Sequence, residues 1–405
     1  MNAKLKTIGK SALLLIVSVY AALWLVEGMA RLVFHGTLFA PASENATQVR
    51  HPTRGAALPM NAKMGMFQLA YSNIASTNSM GFRGEEITQL PEPGMTRILL
   101  LSDSNGFGSG VGDDETLAVQ LEKTLGPEKF EVLNFSVPAY SSVQEYIWLV
   151  EEGLDMKPDL VLLGFTPSND IQTNYQPLQA LYQNNSKRPY AVLDAVGNFT
   201  IDGSFMTAFT EKTKRKSPFK YVLNFFVGPL VQSLAVQAYE NTIGGGKSDP
   251  NIWIGWPFLK NFSDVYALKN QNSEQYEKLW RGAWAVTQAV IKAMRDKSQQ
   301  SGARFVMFSH TSKIEGNPDH LASLQSAYPE LVFDMSKPEA ELKAFAMASD
   351  IPMVSASKAI RSAAALGARD LYFYIDDDHM TAKGYAIAGK ALADDLTAQG
   401  LLPVK

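Results

Sequence analysis

The chain of 405 residues contains no cysteine, which excludes disulfides, thiolate metal sites and a cysteine nucleophile. It also lacks a long basic run, and its net charge of -3 gives no general attraction to nucleic acid, which is therefore not an expected partner. Charged residues make up only 19% of the chain and apolar residues 46%. This composition is typical of a folded globular protein with a sizeable core, in one large domain or two ordinary ones.

A segment near the N-terminus contains no charged residue. Three lysines within the first ten residues precede an uncharged run from Ser11 to Val26. As a helix this run spans roughly 24 Å, and Arg31 can snorkel toward headgroups to extend its apolar face. We predict that residues 1–35 form a single-pass inner-membrane anchor with the following domain in the periplasm or outside the cell. The alternative is a signal peptide cleaved near Gly28-Met29-Ala30, which would leave the protein secreted.

The remaining chain divides by its periodicity. Residues 36–95 are rich in Pro, Asn, Ser and Gly, and we interpret them as a juxtamembrane stalk that packs on the main domain. Alternating apolar strands and amphipathic helices then predict one α/β domain over residues 96–400 with a parallel sheet. The predicted strands are 97–101, 130–134, 160–165, 304–308 and 351–354. The predicted helices are 115–125, 142–154, 273–300 and 337–349.

This alternation is interrupted at about residues 175–270, which we interpret as an inserted cap region. The apolar run 221–239 within it fits a cap helix better than a second membrane helix, because Pro229 and polar residues lie inside the run. We expect this insertion to influence substrate specificity.

Polar residues follow the predicted strands. Ser102-Asp103-Ser104 comes directly after the first strand, and Asn169 with Asp170 comes after the third. The carboxyl ends of parallel strands meet at one edge of a sheet, where ligands bind. Near the C-terminus, Asp376 precedes His379 by three residues. An exposed Ser, an Asn from another strand end and an Asp-x-x-His pair are the components of a serine hydrolase site.

These residue types suit acyl transfer. A serine hydroxyl such as that of Ser104 is a weak nucleophile, and His379 can take its proton and return it to the leaving group. Asp376 can hold the imidazole in the correct tautomer. Candidate donors to the oxyanion are the backbone N–H of Ser104, a backbone N–H near Ala139 and the side-chain amide of Asn169.

These motifs resemble those of the GDSL/SGNH hydrolase superfamily, over roughly residues 78–400. Ser102-Asp103-Ser104 and the Gly-rich turn after it are similar to the family's Gly-Asp-Ser block, which implies that Ser104 is the nucleophile. The stretch 134–140 is similar to the second block, with Ala139 in place of the glycine whose N–H enters the oxyanion hole.

The later blocks extend the resemblance. Asn169-Asp170 is similar to the third block, and Asp376 with His379 matches the final Asp-x-x-His. The segment 78–84 resembles one that precedes the catalytic domain in membrane-anchored bacterial members. The resemblance implies a three-layer, flavodoxin-like SGNH fold with about five parallel strands, and a Ser104–His379–Asp376 triad that needs no metal or cofactor. Asp103 and Asp170 are then supporting residues that hydrogen-bond loop N–H groups.

Two departures from the family pattern matter. Ser102 replaces a glycine and adds a side chain at the strand end. Ala139 replaces another glycine, and it is strained if the backbone there needs a positive φ. His310 follows the fourth strand, where we expect a satisfied loop histidine rather than a site residue. The acidic run 376–378 with His379 is an alternative cation site.

The sequence therefore predicts a membrane-anchored serine esterase that removes an acyl or acetyl group from an envelope or extracellular glycan or lipid. One alternative is an O-acyltransferase that passes the acyl group to a polysaccharide. Another is a non-catalytic glycan-binding protein that keeps the fold. The sequence does not define the oligomeric state.

Overall fold

The computed structural model describes residues 2–34, 48–67, 71–167, 169–180, 187–206, 273–327, 329, 332–373 and 379–403. Its strands are β1 (Val49–His51), β2 (Gly55–Ala57), β3 (Lys63–Phe67), β4 (Ser72–Ser76), β5 (Thr96–Ser102), β6 (Phe130–Ser136), β7 (Leu160–Phe165), β8 (Tyr190–Leu193), β9 (Phe199–Asp202), β10 (Arg304–Ser309) and β11 (Met353–Val354). Its helices are α1 (Asn2–Phe34), α2 (Ser104–Phe107), α3 (Leu117–Leu125), α4 (Ser142–Glu151), α5 (Asp170–Thr173), α6 (Gln176–Gln179), α7 (Ser273–Gln300), α8 (Lys313–Gly316), α9 (Pro318–Ala327), α10 (Lys337–Ala348), α11 (Ser357–Ala365) and α12 (Ala382–Ala398). Short 3-10 turns occur at Asp113–Glu115, Gly153–Met156 and Ser204–Met206.

A five-stranded sheet in the order β11-β10-β7-β5-β6 forms the centre of the molecule. Every pair in it is parallel. Counted along the chain, the five strands lie in the order 2-1-3-4-5, which is the flavodoxin-like arrangement. The prediction of an α/β domain with about five parallel strands is confirmed, and each of the five predicted strands is present.

Helices cover both faces of this sheet. Leu99 and Leu101 of β5 point into a core shared with α4, α7 and α10, whereas Ile98 and Leu100 point into a core shared with α3, α11 and α12. All seven residues of β5 are buried. A strand buried on both faces needs apolar residues at successive positions, which explains its continuous aliphatic run.

The helix boundaries differ slightly from prediction. Helix α3 begins at Leu117 rather than 115, because the Thr116 side chain accepts from the Val119 N–H and caps it, while Asp113–Glu115 forms a 3-10 turn. Helix α4 ends at Glu151, three residues before the predicted end, and a 3-10 turn follows. Helix α7 has the predicted bounds, and α10 ends one residue early.

The segment interpreted as a stalk contains two small antiparallel sheets, β1 with β2 and β3 with β4. Its side chains contact the parallel-sheet domain. Asn73 Nδ2 donates to the Gly110 carbonyl at 2.6 Å, and Arg83 donates to the Phe107, Gly108 and Val111 carbonyls. These contacts connect the segment to the loop that follows α2.

Helix α1 exposes ten large apolar side chains between Leu13 and Met29. Within the part of the chain that the structure describes, no helix combines the length and apolar character needed to cross a membrane. The single-pass anchor stays a prediction. Of the predicted cap region, the structure describes the hairpin of β8 and β9; the run 221–239 lies outside the described residues.

Candidate active site

Ser104 lies at the carboxyl edge of the sheet. It is the first residue of α2, two positions after the end of β5, and it is partly exposed while Asn105, Gly106 and Phe107 behind it are buried. Gly108 adopts a left-handed conformation with φ 82° and ends this helix after one turn. The local chain therefore places a partly exposed serine at the sheet edge.

Asp103 connects this serine to the loop after β7. Its Oδ1 accepts from the Asn105 N–H at 2.9 Å and from the Thr166 hydroxyl at 3.0 Å. Its Oδ2 accepts from the Asn169 side-chain amide at 2.9 Å. Asp103 is fully buried, so these donors replace the water that a carboxylate would otherwise need. The structure thus joins Asn169 to Asp103, the residue directly before Ser104.

A second buried carboxyl group shapes the same loop. Asp170 Oδ2 accepts from the Thr166 N–H at 2.6 Å. Burial raises the pKa of Asp170 well above its usual range, and the nearby Glu145 and Asp103 raise it further. This shift favours a neutral Asp170 that supports the loop instead of adding a second negative charge to the site.

Glu145 on α4 is a buried acid that the sequence analysis did not single out. It is fully buried, and neither of its carboxyl oxygens has a hydrogen-bond partner among the described residues. Burial raises its pKa well above the usual range, and Asp103 raises it further. An acidic residue on the apolar face of the predicted helix 142–154 was the available signal.

Ala139 occupies the turn after β6 and has φ 63°. The Tyr140 N–H donates to the Val137 carbonyl across this turn at 3.1 Å. A side chain at positive φ is strained, because its Cβ approaches the following carbonyl. Ala139 is exposed, so its backbone lies at the surface beside the sheet edge. The strain expected for an alanine at this position is therefore present.

His379 lies just before Met380, which pairs with Tyr372 in an isolated antiparallel bridge. It is partly buried and interacts electrostatically with His310. Its predicted partner Asp376 and the rest of the acidic run lie outside the described residues. The complete triad therefore stays a prediction.

His310 lies at the carboxyl end of β10 and is only 6% exposed. Its Nε2 is 2.9 Å from the Ser102 hydroxyl. Burial lowers its pKa to about 4; nearby Asp103 acts in the opposite direction, and His379 lowers the pKa further. His310 thus has the hydrogen-bond partner expected of a satisfied histidine, yet it also faces two residues of the candidate site.

Arg83 fixes the glycine-rich loop after α2. Its fully buried guanidinium donates to three carbonyls of this loop at 2.6 to 2.7 Å and pairs with Asp113 at 2.9 Å. It also lies over the Phe107 ring, 4.8 Å from the ring centre. The segment 78–84 that the sequence analysis singled out therefore supports the chain that follows the candidate nucleophile.

One group among the described residues could converge on a cation: His51, Glu151 and Glu152. Arg54 Nη2 already lies 2.7 Å from Glu152 Oε1 and 2.8 Å from His51 Nε2. A guanidinium in this position supplies the positive charge that the carboxylates need. This group lies on β1 and at the end of α4, and it includes none of the predicted site residues.

No family model matches the sequence. No curated protein matches it either. Solved structures with partial similarity include a lipase/acylhydrolase from Enterococcus faecalis, 12% identical, covering 77% of this chain and 99% of its own at a TM-score of 0.36. A GDSL-like lipase from Bacteroides thetaiotaomicron is 12% identical, with coverage of 78% and 93% and a TM-score of 0.31. A catalytic mutant of an acetylxylan esterase from Geobacillus stearothermophilus is 11% identical, with coverage of 74% and 94% and a TM-score of 0.37.

Proposed function

We propose that this protein is a serine esterase of the SGNH type, with Ser104 as nucleophile. The observation that carries the proposal is the hydrogen bond from the Asn169 side-chain amide to the carboxylate of Asp103, the residue directly before Ser104 at the carboxyl edge of the sheet. A nucleophile and a side-chain N–H donor, fixed by one buried acceptor, are the arrangement that acyl transfer needs.

In this mechanism His379 removes the proton from the Ser104 hydroxyl as the serine attacks the ester carbonyl. The tetrahedral intermediate places its oxyanion against the Ser104 and Ala139 N–H groups and the Asn169 amide. His379 then donates its proton to the leaving alcohol, which leaves an acyl group on Ser104. Water, activated by the same histidine, releases the acid and restores the serine. Asp376 orients the imidazole in this scheme.

The experiment is covalent labelling of the full-length protein with a fluorophosphonate probe, together with hydrolysis of p-nitrophenyl acetate. The test variant is Ser104→Ala. Ser109→Ala is the matched control, because Ser109 lies in the same loop with its N–H donating to the Ser104 carbonyl. We expect the Ser104→Ala protein to lose both labelling and turnover and the control to keep them. A folded wild-type protein with neither activity would refute the esterase proposal.

The substrate class follows from the predictions made from the sequence: an acylated, and in the simplest case acetylated, glycan or lipid of the cell envelope. Released acetate identifies hydrolysis when acetylated xylan or another acetylated polysaccharide is supplied. Acetyl groups found on an added oligosaccharide acceptor would instead identify an O-acyltransferase. Saturable glycan binding without labelling would identify the non-catalytic alternative.

Membrane association and export also stay proposals. Their support is the set of ten exposed apolar side chains on α1, which need lipid or protein cover. Fractionation of cells, followed by carbonate extraction of the membranes, tests association. Sequencing of the mature N-terminus distinguishes a retained helix from a signal peptide cleaved near Ala30.

A further inference from the structure

Ser102 connects three strand ends through one hydroxyl group. It is the last residue of β5 and is fully buried. Its Oγ lies 2.9 Å from the Gly164 carbonyl of β7 and 2.9 Å from Nε2 of His310, which follows β10. This contact network begins two residues before Ser104, so it bears directly on where the nucleophile is held.

Two glycines make room for this pair. A Cβ on Gly164 would lie 2.6 Å from His310 Nε2, closer than real Cβ contacts come. A Cβ on Gly106 would collide with the Ser102 Cβ and approach the Ser136 hydroxyl to 2.5 Å. Larger residues at 106 or 164 would displace Ser102 or His310. The contact between Ser102 and His310 therefore requires glycine at both positions.

The hydrogen-bond directions follow from the number of protons. A carbonyl oxygen only accepts, so the single Ser102 hydroxyl proton goes to Gly164. The Ser102 oxygen then accepts from His310, which must carry its proton on Nε2. The result is a chain of two hydrogen bonds from imidazole to hydroxyl to carbonyl, and burial lowers the pKa of His310 so that the ring is neutral near pH 7.

His310 also interacts with two ionisable residues of the candidate site. Asp103, from the loop after β5, and His379, from the C-terminal segment, both interact electrostatically with it. A charged imidazole here would oppose the positive charge that His379 acquires when it takes the serine proton. A neutral imidazole, held by Ser102 in a fixed tautomer, avoids this repulsion.

We propose that Ser102 and His310 form a positioning pair for the esterase reaction: the His310 Nε2–H donates to Ser102, fixes the end of β5 beneath Ser104 and keeps an uncharged ring beside His379. The inference rests on the proposed function. It assigns a role to the serine that replaces the glycine of the similar family motif, and to a histidine outside the triad.

The test uses Ser102→Ala, which removes only the hydroxyl group. The matched control is Ser136→Ala, because Ser136 is the register partner of Ser102 on β6, is equally buried, and its hydroxyl has no hydrogen-bond partner among the described residues. His310→Ala removes the donor, and His310→Gln keeps an N–H at a similar reach. The double variant Ser102→Ala/His310→Ala completes a mutant cycle.

We expect Ser102→Ala and His310→Ala each to lower kcat for p-nitrophenyl acetate about tenfold with little change in KM, since one buried hydrogen bond is lost. The double variant should be no worse than either single variant, and His310→Gln should recover most of the rate. Ser136→Ala should match the wild type. The proposal is overturned if Ser102→Ala also matches the wild type, or if the two losses multiply. If His310→Ala does not fold, His310→Gln takes its place in the cycle, and a Ser102→Ala protein that matches the wild type still overturns the proposal.

A second measurement does not depend on turnover. The full-length protein has five histidines. In its 15N-histidine spectra, the signals of His310 are assigned as those that are missing from the spectrum of His310→Gln. We expect the Nε2–H tautomer from pH 7.5 to 5, and a mixture of tautomers in Ser102→Ala. A wild-type His310 that is Nδ1–H or charged in this range would contradict the pair. Wild-type protein without labelling or turnover, but with the expected tautomer, would instead show that the esterase proposal has failed.

Discussion

The Asn169 side-chain amide donates to the Asp103 carboxylate at 2.9 Å, although the two residues are 66 positions apart in the chain. Parallel strands β5 and β7 are neighbours in the sheet, so the loops after them meet at one edge. Asp103 accepts with one oxygen from Asn169 and with the other from Thr166 and the Asn105 N–H. The position of the amide is thus set by a buried acceptor.

Removal of this amide should damage the transition state more than the bound substrate. Asn169→Ala deletes one proposed oxyanion donor, so we expect kcat for p-nitrophenyl acetate to fall about 100- to 1,000-fold, with KM nearly unchanged. Thr166→Val is the control, since it removes a hydrogen bond to Asp103 without touching a proposed oxyanion donor. Equal losses in the two variants, or a loss confined to KM, would argue that Asn169 has only a structural role.

Arg83 should be a major determinant of stability. Arg83→Lys keeps the positive charge, but a lysine ammonium group lacks the planar set of donors that lets the guanidinium bind three carbonyls and Asp113 at once. Some of these buried acceptors therefore lose their hydrogen-bond donor. We expect the free energy of unfolding in urea to fall by about 3 kcal/mol. Arg281→Lys, at an exposed i,i+4 pair with Glu277, should change it by less than about 0.5 kcal/mol. Similar values for both variants would show that the guanidinium contacts contribute little.

The central sheet was predictable because its strands are buried on both faces. Such strands must be continuous apolar runs, and β5 and β7 are buried at every position. The hairpins β1–β2 and β3–β4 escaped prediction because strands of three and five residues with mixed burial give too few positions for a clear period of two.

The candidate site was predictable only in part, for a related reason. That Ser104 and Asn169 lie near each other follows from the strand ends that they occupy. The contact between Ser102 and His310 spans 208 positions and depends on the room left by Gly164, which no local pattern reveals. The buried Glu145 likewise depends on how α4 packs. The sign of φ at Ala139 is set by a turn whose geometry the tertiary structure determines.

The turn at Ala139 predicts that a substitution to glycine stabilises the protein, which is the opposite of the usual effect of glycine. Ala139→Gly relieves the strain of a Cβ at φ 63°, and the gain outweighs the extra entropy of glycine in the unfolded chain. We expect the free energy of unfolding to rise by about 0.5–1 kcal/mol. Ala118→Gly, within the regular helix α3, should lower it by about 1 kcal/mol. Unfolding of both variants in urea measures these changes in the free energy of unfolding. A destabilised Ala139→Gly protein would show that the turn tolerates alanine without strain.

Glu315 should make stability depend on pH. It is buried at the start of α8, where its side chain accepts from the Ser312 N–H at 2.9 Å and lies 3.3 Å from Arg361. Burial raises the pKa of Glu315 to about 7; the Ser312 hydrogen bond and Arg361 act in the opposite direction, and Glu339 raises the pKa further. Between the ordinary value of 4.5 and about 7 the folded state therefore holds a proton that the unfolded state releases.

The sign follows directly from this difference in bound protons. The contribution of Glu315 is fully present below pH 4.5 and is lost as pH rises to about 7. Glu315→Gln does not titrate and keeps an oxygen for the Ser312 N–H. We therefore expect the stability of the wild type relative to this variant to fall by about 3 kcal/mol over this range, measured by urea unfolding at several pH values. Because the other titrating groups are common to both proteins, their contributions cancel in the difference. A difference that stays flat with pH would mean that the pKa of Glu315 in the folded state stays near 4.5 and that the Ser312 hydrogen bond and Arg361 offset burial.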